Sequence, residues 1–207
     1  RIRTLPGSPL LARGELGCDV GEDACRGVRG LTMRVTLIAA MDENRLIGTG
    51  SGGLPWEGLA RDKRHFRSYT ADKALLLGRR TFEEMTGWFQ AGHRPLVVTR
   101  DANYRAIGGY PSLPSVGDAV EVARERGEEE LVVCGGATVY RLALPLATHL
   151  NLTIVARQFP TPSEGGAYFP DWEGEGFEEQ RRDWFGADAQ NAFGLTFLQL
   201  SRNRRGS

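Results

Sequence analysis

The sequence predicts a single α/β domain: a central, mostly parallel twisted sheet with helices on both faces and an antiparallel C-terminal hairpin. From residue 33 onward, short apolar runs alternate with segments that have a helical spacing of apolar residues. The runs are apolar throughout, which is typical of parallel strands buried on both faces. A polar run at 177–184 followed by a run at 193–200 predicts a hairpin at the sheet edge.

Seven segments have the composition of strands. In chain order they are 34–40, 73–77, 95–99, 131–134, 149–155, 177–184 and 193–200. Four segments have the apolar spacing of helices, namely 59–70, 81–88, 116–126 and 137–146. The alternation of the two types along the chain is what a parallel sheet requires, since each crossover needs room for a helix.

Two of these helices begin with residues typical of caps. Thr81 and Glu84 stand in capping-box spacing at the start of the second helix. Ser115 and Asp118 stand in a similar relation at the start of the third, which Gly127 is expected to end.

The first 32 residues differ from the rest of the chain. They contain six glycines and two prolines and show neither a helical nor a strand period. We therefore expect 1–32 to be a flexible leader or a non-native extension, with Met33 as the natural start. The folded domain is expected to span 33–202, followed by a C-terminal tail at 203–207.

Composition excludes several classes of protein. The 207 residues include 26 basic and 26 acidic ones, and a net charge of zero argues against binding nucleic acid by phosphate neutralisation. No apolar run is long enough to span a membrane, and the N-terminal one is too short for a signal peptide. Cys18 and Cys25 lack partners for a zinc site, and three cysteines form no disulfide framework. We expect a cytoplasmic monomer with no metal, membrane or nucleic-acid partner.

Three predicted strands end in residues suited to phosphate groups. Glycine lets an anion approach the backbone, helix starts present free N–H groups, and arginine binds phosphate with two hydrogen bonds. The residues at these strand ends are Gly78, Arg79, Arg80 and Thr81; Thr99 and Arg100; and Gly135, Gly136, Ala137 and Thr138. They predict a site for a phosphorylated cofactor, although each glycine pair alone is as compatible with a tight turn. The G-x-G-x-x-G fingerprint is absent, which disfavours an ordinary Rossmann site.

Asp62 lies on the apolar face of helix 59–70, between Leu59 and Phe66. A carboxyl group that faces the core needs a hydrogen-bond donor or a raised pKa, so Asp62 is either an ion-paired structural residue or a group that handles a ligand's proton. Before this helix, five glycines between 48 and 58 and the segment Leu54-Pro55-Trp56 predict a mobile lid over the end of the sheet.

Over 33–202, these residues resemble bacterial dihydrofolate reductase. The segments that carry the resemblance are Leu37-Ile38-Ala39-Ala40, Leu46-Ile47-Gly48, Leu54-Pro55-Trp56, Asp62 with Phe66, Gly78-Arg79-Arg80-Thr81-Phe82-Glu83, Val97-Val98-Thr99-Arg100, Gly135-Gly136-Ala137-Thr138-Val139-Tyr140, Leu152-Thr153, Tyr168-Phe169-Pro170 and Ala187-Asp188-Ala189-Gln190-Asn191. Their order and spacing make the resemblance specific.

The resemblance implies the dihydrofolate reductase fold and NADPH-dependent reduction of 7,8-dihydrofolate to tetrahydrofolate. Asp62 would hydrogen-bond the pterin and promote protonation at N5, Thr153 would share its network, and Trp56 would hold a water. The substrate pocket would be formed by Ile38, Ala40, Leu54, Phe66, Arg94, Cys134 and Tyr140.

The same resemblance implies the residues of the cofactor site. NADPH would contact Ala39, Ile47, Gly48, Gly78, Arg79, Arg80, Thr81, Thr99, Arg100, Gly135, Gly136, Ala137, Thr138 and Val139. The Gly135–Gly136 bond is cis in this family, and residues 48–56 would be the closing lid.

Several positions depart from the family pattern. The lid has one extra residue and the pair Gly52-Gly53, and Lys63 stands where an apolar residue is usual. Gly165-Gly166 replaces a common Gly-Asp pair, and Thr138 replaces a frequent basic residue. The arginine that would bind the substrate's glutamate carboxylate falls at His93 or, after a slip of one residue, at Arg94. We favour Arg94 for its two-pronged guanidinium.

Two other functions compete with this interpretation. One is another reductase of the same fold, such as that of riboflavin biosynthesis, which lacks the pairing of Pro55 and Trp56 with Asp62. The other is a non-catalytic module that binds NADPH or a protein partner, which would be expected to lose Asp62 or Thr153.

Overall fold

The computed structural model describes residues 33–50 and 52–203, so the leader predicted at 1–32 and most of the predicted tail lie outside it. The described elements are β1 (Arg34–Asp42), β2 (Leu46–Thr49), α1 (Ala60–Thr70), β3 (Ala74–Gly78), α2 (Arg79–Glu84), β4 (Arg94–Val98), β5 (Ser112–Leu113), α3 (Val116–Glu125), β6 (Glu130–Gly135), α4 (Ala137–Ala143), a 3₁₀ turn (Leu144–Leu146), β7 (His149–Val155), β8 (Gly166–Tyr168), β9 (Phe177–Phe185) and β10 (Leu195–Arg202).

Eight of the strands form one sheet in the order β5-β4-β3-β6-β1-β7-β10-β9. The pairs from β5 to β7 are parallel, whereas β10 pairs antiparallel with both β7 and β9. The predicted fold class and the C-terminal hairpin are therefore confirmed. Among the described residues, no helix is both long and apolar enough to cross a membrane.

The central strands are apolar at consecutive positions because both of their faces are covered. On β3, Leu76 packs in a cluster with α3 and α4, whereas Leu75 and Leu77 pack on the opposite face with Phe66 of α1 and Phe82 of α2. Each of the three leucines is fully buried. Because helices cover both faces, neither face of these strands is in contact with solvent, as the unbroken apolar runs predict.

The structure corrects the second predicted helix. It begins at Arg79 and ends at Glu84, and Thr81 is a residue inside it rather than its cap. Gly78, the last residue of β3, occupies the cap position and has no side chain that could cap the helix, which the chain enters directly from the strand. After the helix, Gly87 adopts a φ of 85°, and the chain turns where the prediction continued to 88.

The third helix is as predicted, with the Ser115 side chain accepting a hydrogen bond from the backbone N–H of Asp118. The fourth ends earlier than predicted and continues as a 3₁₀ turn that contains Pro145. Strands β2, β5 and β8 were not predicted, since they have two to four residues each and β2 and β8 contain glycine.

A buried carboxylate fixes the turn from which the glycine-rich segment departs. Asp42 is only 1% exposed and accepts hydrogen bonds from the backbone N–H groups of Asn44, Leu46 and Phe159 at 2.8 to 2.9 Å. Three donors compensate the carboxylate for its loss of water. Asp42 therefore ties the start of β2 to the loop that carries Phe159, whose ring packs on Trp56 with centroids 5.5 Å apart.

Candidate active site

The three glycine- and arginine-containing strand ends lie side by side. β3 lies between β4 and β6 in the sheet, with Gly78 opposite Val98 and Leu77 opposite Gly135. A Cβ atom on Gly78 would lie 3.1 Å from Val139 Cγ2, and one on Gly136 would lie 3.2 Å from Thr81 Oγ1. The glycines allow β3, α2 and α4 to approach closely and leave backbone groups at the carboxyl edge of the sheet.

This edge is rich in N–H donors and positive charge. Helices α2 and α4 both start here, and neither has a side-chain cap for its first N–H groups. Arg80 and Arg100 are exposed, and Arg79 lies 3.5 Å from Asp101. The bond between Gly135 and Gly136 is cis, as the family resemblance implies. The residues present suit a ligand with several phosphate groups.

Asp62 lies in the first turn of α1 and faces β7. The Thr153 hydroxyl forms a hydrogen bond with its carboxyl group. Asp62 retains some contact with solvent, but protein surrounds its other sides, and this burial raises its pKa. The Thr153 hydrogen bond and the nearby charges of His65 and Lys63 act in the opposite direction. A carboxyl group in such a setting can hold a proton nearer neutral pH than ordinary aspartate.

Tyr140 and Cys134 are buried near Asp62. The Tyr140 hydroxyl donates a 2.6 Å hydrogen bond to the Ile38 carbonyl, which fixes the ring under β1. Burial is the main cause that raises the pKa of Tyr140 well above its ordinary value, and the negative charge of Asp62 acts in the same direction. Burial also raises the pKa of the Cys134 thiol, so the thiol stays protonated.

A cavity of about 520 Å³ opens above Asp62 and is bounded by the glycine-rich segment. The side chains along it include Leu54, Trp56, Leu59, Asp62 and Lys63. Trp56 is 6% exposed, and its indole N–H is buried without a hydrogen-bond partner among the described residues. A buried donor of this kind is normally satisfied by water or a ligand. The cavity thus joins an apolar wall to two polar groups that can orient a small molecule.

The two candidates for a carboxylate-binding residue, His93 and Arg94, have different surroundings. His93 stacks on Trp88 with centroids 5.0 Å apart, and Trp88 packs on Phe66 at the same distance. The Gln90 N–H donates to His93 Nδ1, so the hydrogen of the neutral ring lies on Nε2. His93 therefore lies against the aromatic wall that contains Phe66.

Arg94 is already paired elsewhere, which argues against the preference for it. Its Nε and Nη2 donate to the two carboxylate oxygens of Glu128 at 2.6 and 2.7 Å. The remaining donors reach the carbonyls of Gly92 and Asp72 at 3.0 Å. A guanidinium that already binds one carboxylate bidentately has little capacity left for a second.

The other predicted residues divide between side-chain and backbone positions. Ile38 and Ala40 lie on the α1 side of the sheet, whereas Ala39 packs in the cluster on the opposite face, so only its backbone can face a ligand on the α1 side. Gly48 is buried, and a Cβ there would lie 3.1 Å from the Gly53 carbonyl.

One contact at this site was not predicted. His65 Nε2 lies 3.0 Å from Asn151 Oδ1, next to the link between Asp62 and Thr153. Its signal was present in the sequence, since Asn151 and Thr153 are polar residues two positions apart among the apolar residues of 150–155.

Known proteins with similar sequences belong to one family. A family model described as dihydrofolate reductase matches residues 34–202. Dihydrofolate reductase type 3 of Salmonella typhimurium is 37% identical over 172 residues, which cover 83% of this chain and 100% of that protein. The dihydrofolate reductase of Neisseria gonorrhoeae is 36% identical over 150 residues, covering 72% of this chain and 87% of the relative.

A solved structure leads to the same family. Dihydrofolate reductase from Enterococcus faecalis, complexed with NADP(H) and RAB-propyl, aligns with a TM-score of 0.72 and 27% identity, covering 82% of this chain and 96% of that one. The family model spans most of the described chain, and the Salmonella relative is covered over its whole length. The chain therefore belongs to the dihydrofolate reductase family, whose members are NADPH-dependent oxidoreductases.

Proposed function

We propose that this protein reduces 7,8-dihydrofolate to 5,6,7,8-tetrahydrofolate with NADPH, and that Asp62 promotes protonation of the pterin at N5. The observation that carries the proposal is the setting of the Asp62 carboxyl group. Burial raises its pKa, and its hydrogen bond with Thr153 holds it at a cavity of about 520 Å³. Family membership supports the reaction, and the geometry of this carboxyl group supports the role of Asp62 in it.

Asp62 can serve the reaction in two ways. Its ionised form accepts hydrogen bonds from the amino-heterocycle edge of a pterin, and it favours a positive charge on the ring. Because its pKa is raised, part of the population carries a proton at a pH where ordinary aspartate has none. Thr153 is 2% exposed and holds the carboxyl group on β7, so the proton-handling atoms stay in one place.

NADPH supplies a hydride when it is bound. We assign its phosphate groups to the carboxyl edge of the sheet, where α2 and α4 begin. Arg79, Arg80 and Arg100 carry the positive charge there, and the 2′-phosphate that distinguishes NADPH from NADH would use it. The half-buried backbone at Gly78 and Gly136 suits a pyrophosphate, because glycine has no side chain to keep an anion from the backbone N–H groups.

The glycine-rich segment would exclude water from the reacting groups. Its backbone is coupled to the loop before β8, because the Gly50 N–H donates to the Gly165 carbonyl at 2.8 Å. This contact uses backbone atoms alone, so it does not require the aspartate that Gly166 replaces. Trp56 lies at the return of the segment to the domain and covers the cavity beside Asp62.

We expect the purified full-length protein to oxidise NADPH only when dihydrofolate is added, as followed by the loss of absorbance of NADPH. The same assay with a pyrimidine that carries a ribose phosphate tests the rival reductase of this fold. NADPH binding, measured by fluorescence, without turnover of either substrate would support the non-catalytic module and contradict the proposal.

The different surroundings of His93 and Arg94 lead to a prediction on the affinity for dihydrofolate. We expect His93→Phe, which preserves the stacking on Trp88 but removes the Nε2–H, to raise KM for dihydrofolate about tenfold by removing a hydrogen bond to its carboxylate. Arg94→Ala should change KM by less than about twofold, because the Arg94 guanidinium is bound to Glu128. Steady-state kinetics of the two variants decides between the positions, and the opposite ranking would restore Arg94 to the substrate site.

A further inference from the structure

Two polar contacts join helix α1 to strand β7, one helical turn apart. Asp62 forms a side-chain hydrogen bond with Thr153, and His65 Nε2 lies 3.0 Å from Asn151 Oδ1. Asp62 and His65 are three residues apart on the helix, and Asn151 and Thr153 are two apart on the strand, so each pair shares one face. The helix is therefore linked to the strand twice, and one of the links includes the proton-handling carboxyl group.

The His65 ring has a fixed place. It packs on Phe197 of β10 with centroids 4.5 Å apart and lies 6.3 Å from the ring of Tyr69. Since the amide oxygen of Asn151 can only accept a hydrogen bond, His65 Nε2 carries a hydrogen. The contact with Asn151 uses Nε2 and not Nδ1.

Asn151 is an unusual residue for its position. It is 2% exposed, and its Nδ2 is buried with no partner among the described residues. A buried amide N–H without a partner destabilises the fold, and leucine would occupy a similar volume without that defect. What the asparagine contributes is its oxygen, which is the acceptor for His65.

We propose that His65 and Asn151 are a positioning pair for Asp62. Their contact fixes the first turns of α1 on β7 and keeps the His65 ring one turn from the Asp62 carboxyl group. The inference rests on the proposed role of Asp62 and requires no contact of either residue with substrate or cofactor. The charge of His65 is one of the influences that lower the pKa of Asp62, against the larger effect of burial.

Other titratable groups lie near this ring. On its own helix they are Asp62 and Tyr69; on β7, Asn151 and Thr153 are neutral, and His149 lies on the same face two residues before Asn151. On the far side of β10, Asp183 lies opposite Phe197 and is paired with Arg181 at 2.6 Å. Among these groups, Asp62 is the one whose pKa the charge of His65 lowers.

The test measures the rate of hydride transfer in single turnovers of the full chain with NADPH and dihydrofolate from pH 5 to 9. His65→Phe preserves the packing on Phe197 but removes the donor and the charge, and Asn151→Leu removes the acceptor. At pH 7 we expect each to lower the rate about fivefold, the change for one lost hydrogen bond, and the double variant to lower it no further. KM for dihydrofolate should change by less than about twofold.

The pH profile separates a positioning role from a merely structural one. Without a cationic neighbour Asp62 holds its proton more tightly, so the fall of the rate with rising pH should move to higher pH in His65→Phe. Additive losses in the double variant, or an unchanged midpoint, would overturn the proposal. Should His65→Phe fail to fold, His65→Gln, which retains a donor without the charge, must still move the midpoint.

Asp62→Asn serves as the reference in the same series. If that variant transfers hydride at the wild-type rate throughout the pH range, the proposed function of Asp62 fails. If its rate falls while those of His65→Phe and Asn151→Leu do not, only the positioning pair is contradicted.

Discussion

Replacing Asp62 with asparagine should lower kcat by about 100-fold at pH 7, the usual contribution of a positioned acid–base group. Asparagine can still accept a hydrogen bond from Thr153, but it cannot ionise or carry a proton. At pH 5 the deficit should shrink, because the substrate then takes its proton from solution. Steady-state rates at the two pH values check this expectation.

The matched control is Glu57→Gln, which alters an exposed carboxyl group on the rim of the same cavity. Its kcat should stay within about twofold of the wild-type value, because an exposed charged group interacts only weakly with its surroundings. Equal losses in both variants would mean that the general charge of the cavity, and not Asp62, supports the reaction.

The same Asp62 substitution should make the protein more stable at neutral pH. A raised pKa in the folded state means that folding disfavours the ionised form, so Asp62 reduces the free energy of unfolding once the pH rises above its unfolded pKa near 3.8. The asparagine of the variant does not ionise, and the stability gap between variant and wild type should close as the pH falls toward 4. Urea unfolding across this range measures the gap.

Replacing Glu130 with alanine should lower the free energy of unfolding by about 3–5 kcal/mol at pH 7, since it breaks a buried charge network. Glu130 is 5% exposed and binds Lys73 Nζ at 2.8 Å, the Tyr69 hydroxyl at 2.7 Å and the Thr36 hydroxyl at 2.5 Å. Without the carboxylate, these three groups lose their shared partner. Glu129→Ala, at the exposed neighbouring position, should cost less than about 0.5 kcal/mol.

The contribution of Glu130 should depend on pH in a defined direction. Burial alone would raise its pKa, but the hydrogen bonds from Lys73, Thr36 and Tyr69 outweigh burial and lower it below 4.5. A lowered folded pKa gives stability that is fully present above about 4.5 and is lost as the pH falls through the folded value. The wild-type advantage over Glu130→Gln in urea unfolding should therefore diminish in acid, and a constant difference would contradict this account.

Local patterns predicted the elements that are long and regular. The strands at 34–40 and 149–155 and the helix at 59–70 were found within two residues of their expected ends, because each extends over enough residues for a period to appear. The cap at Ser115 formed as expected, whereas the equivalent spacing at Thr81 did not. Helix α2 follows strand β3 directly, and a local cap motif does not indicate where the preceding strand ends.

In the candidate site, too, local patterns predicted some features and not others. The placement of Asp62 on an apolar helix face was predictable, since the period of the helix alone determines which residues share a face. The partner of Arg94 could not be predicted from local patterns, because Glu128 lies 34 positions away in the chain.

By itself, the sequence determined the order of the longer strands and the helices, the glycine and arginine residues at three strand ends, and a carboxyl group on the buried face of α1. These depend on interactions between residues close together in the chain. Only the tertiary structure decided that Asn151 lies within hydrogen-bond distance of His65 and that Glu130 accepts hydrogen bonds from Thr36 and Tyr69. It also decided that Arg94 binds Glu128. Each of these pairings joins segments that packing brings together, and the geometry of that packing is not encoded in any local period.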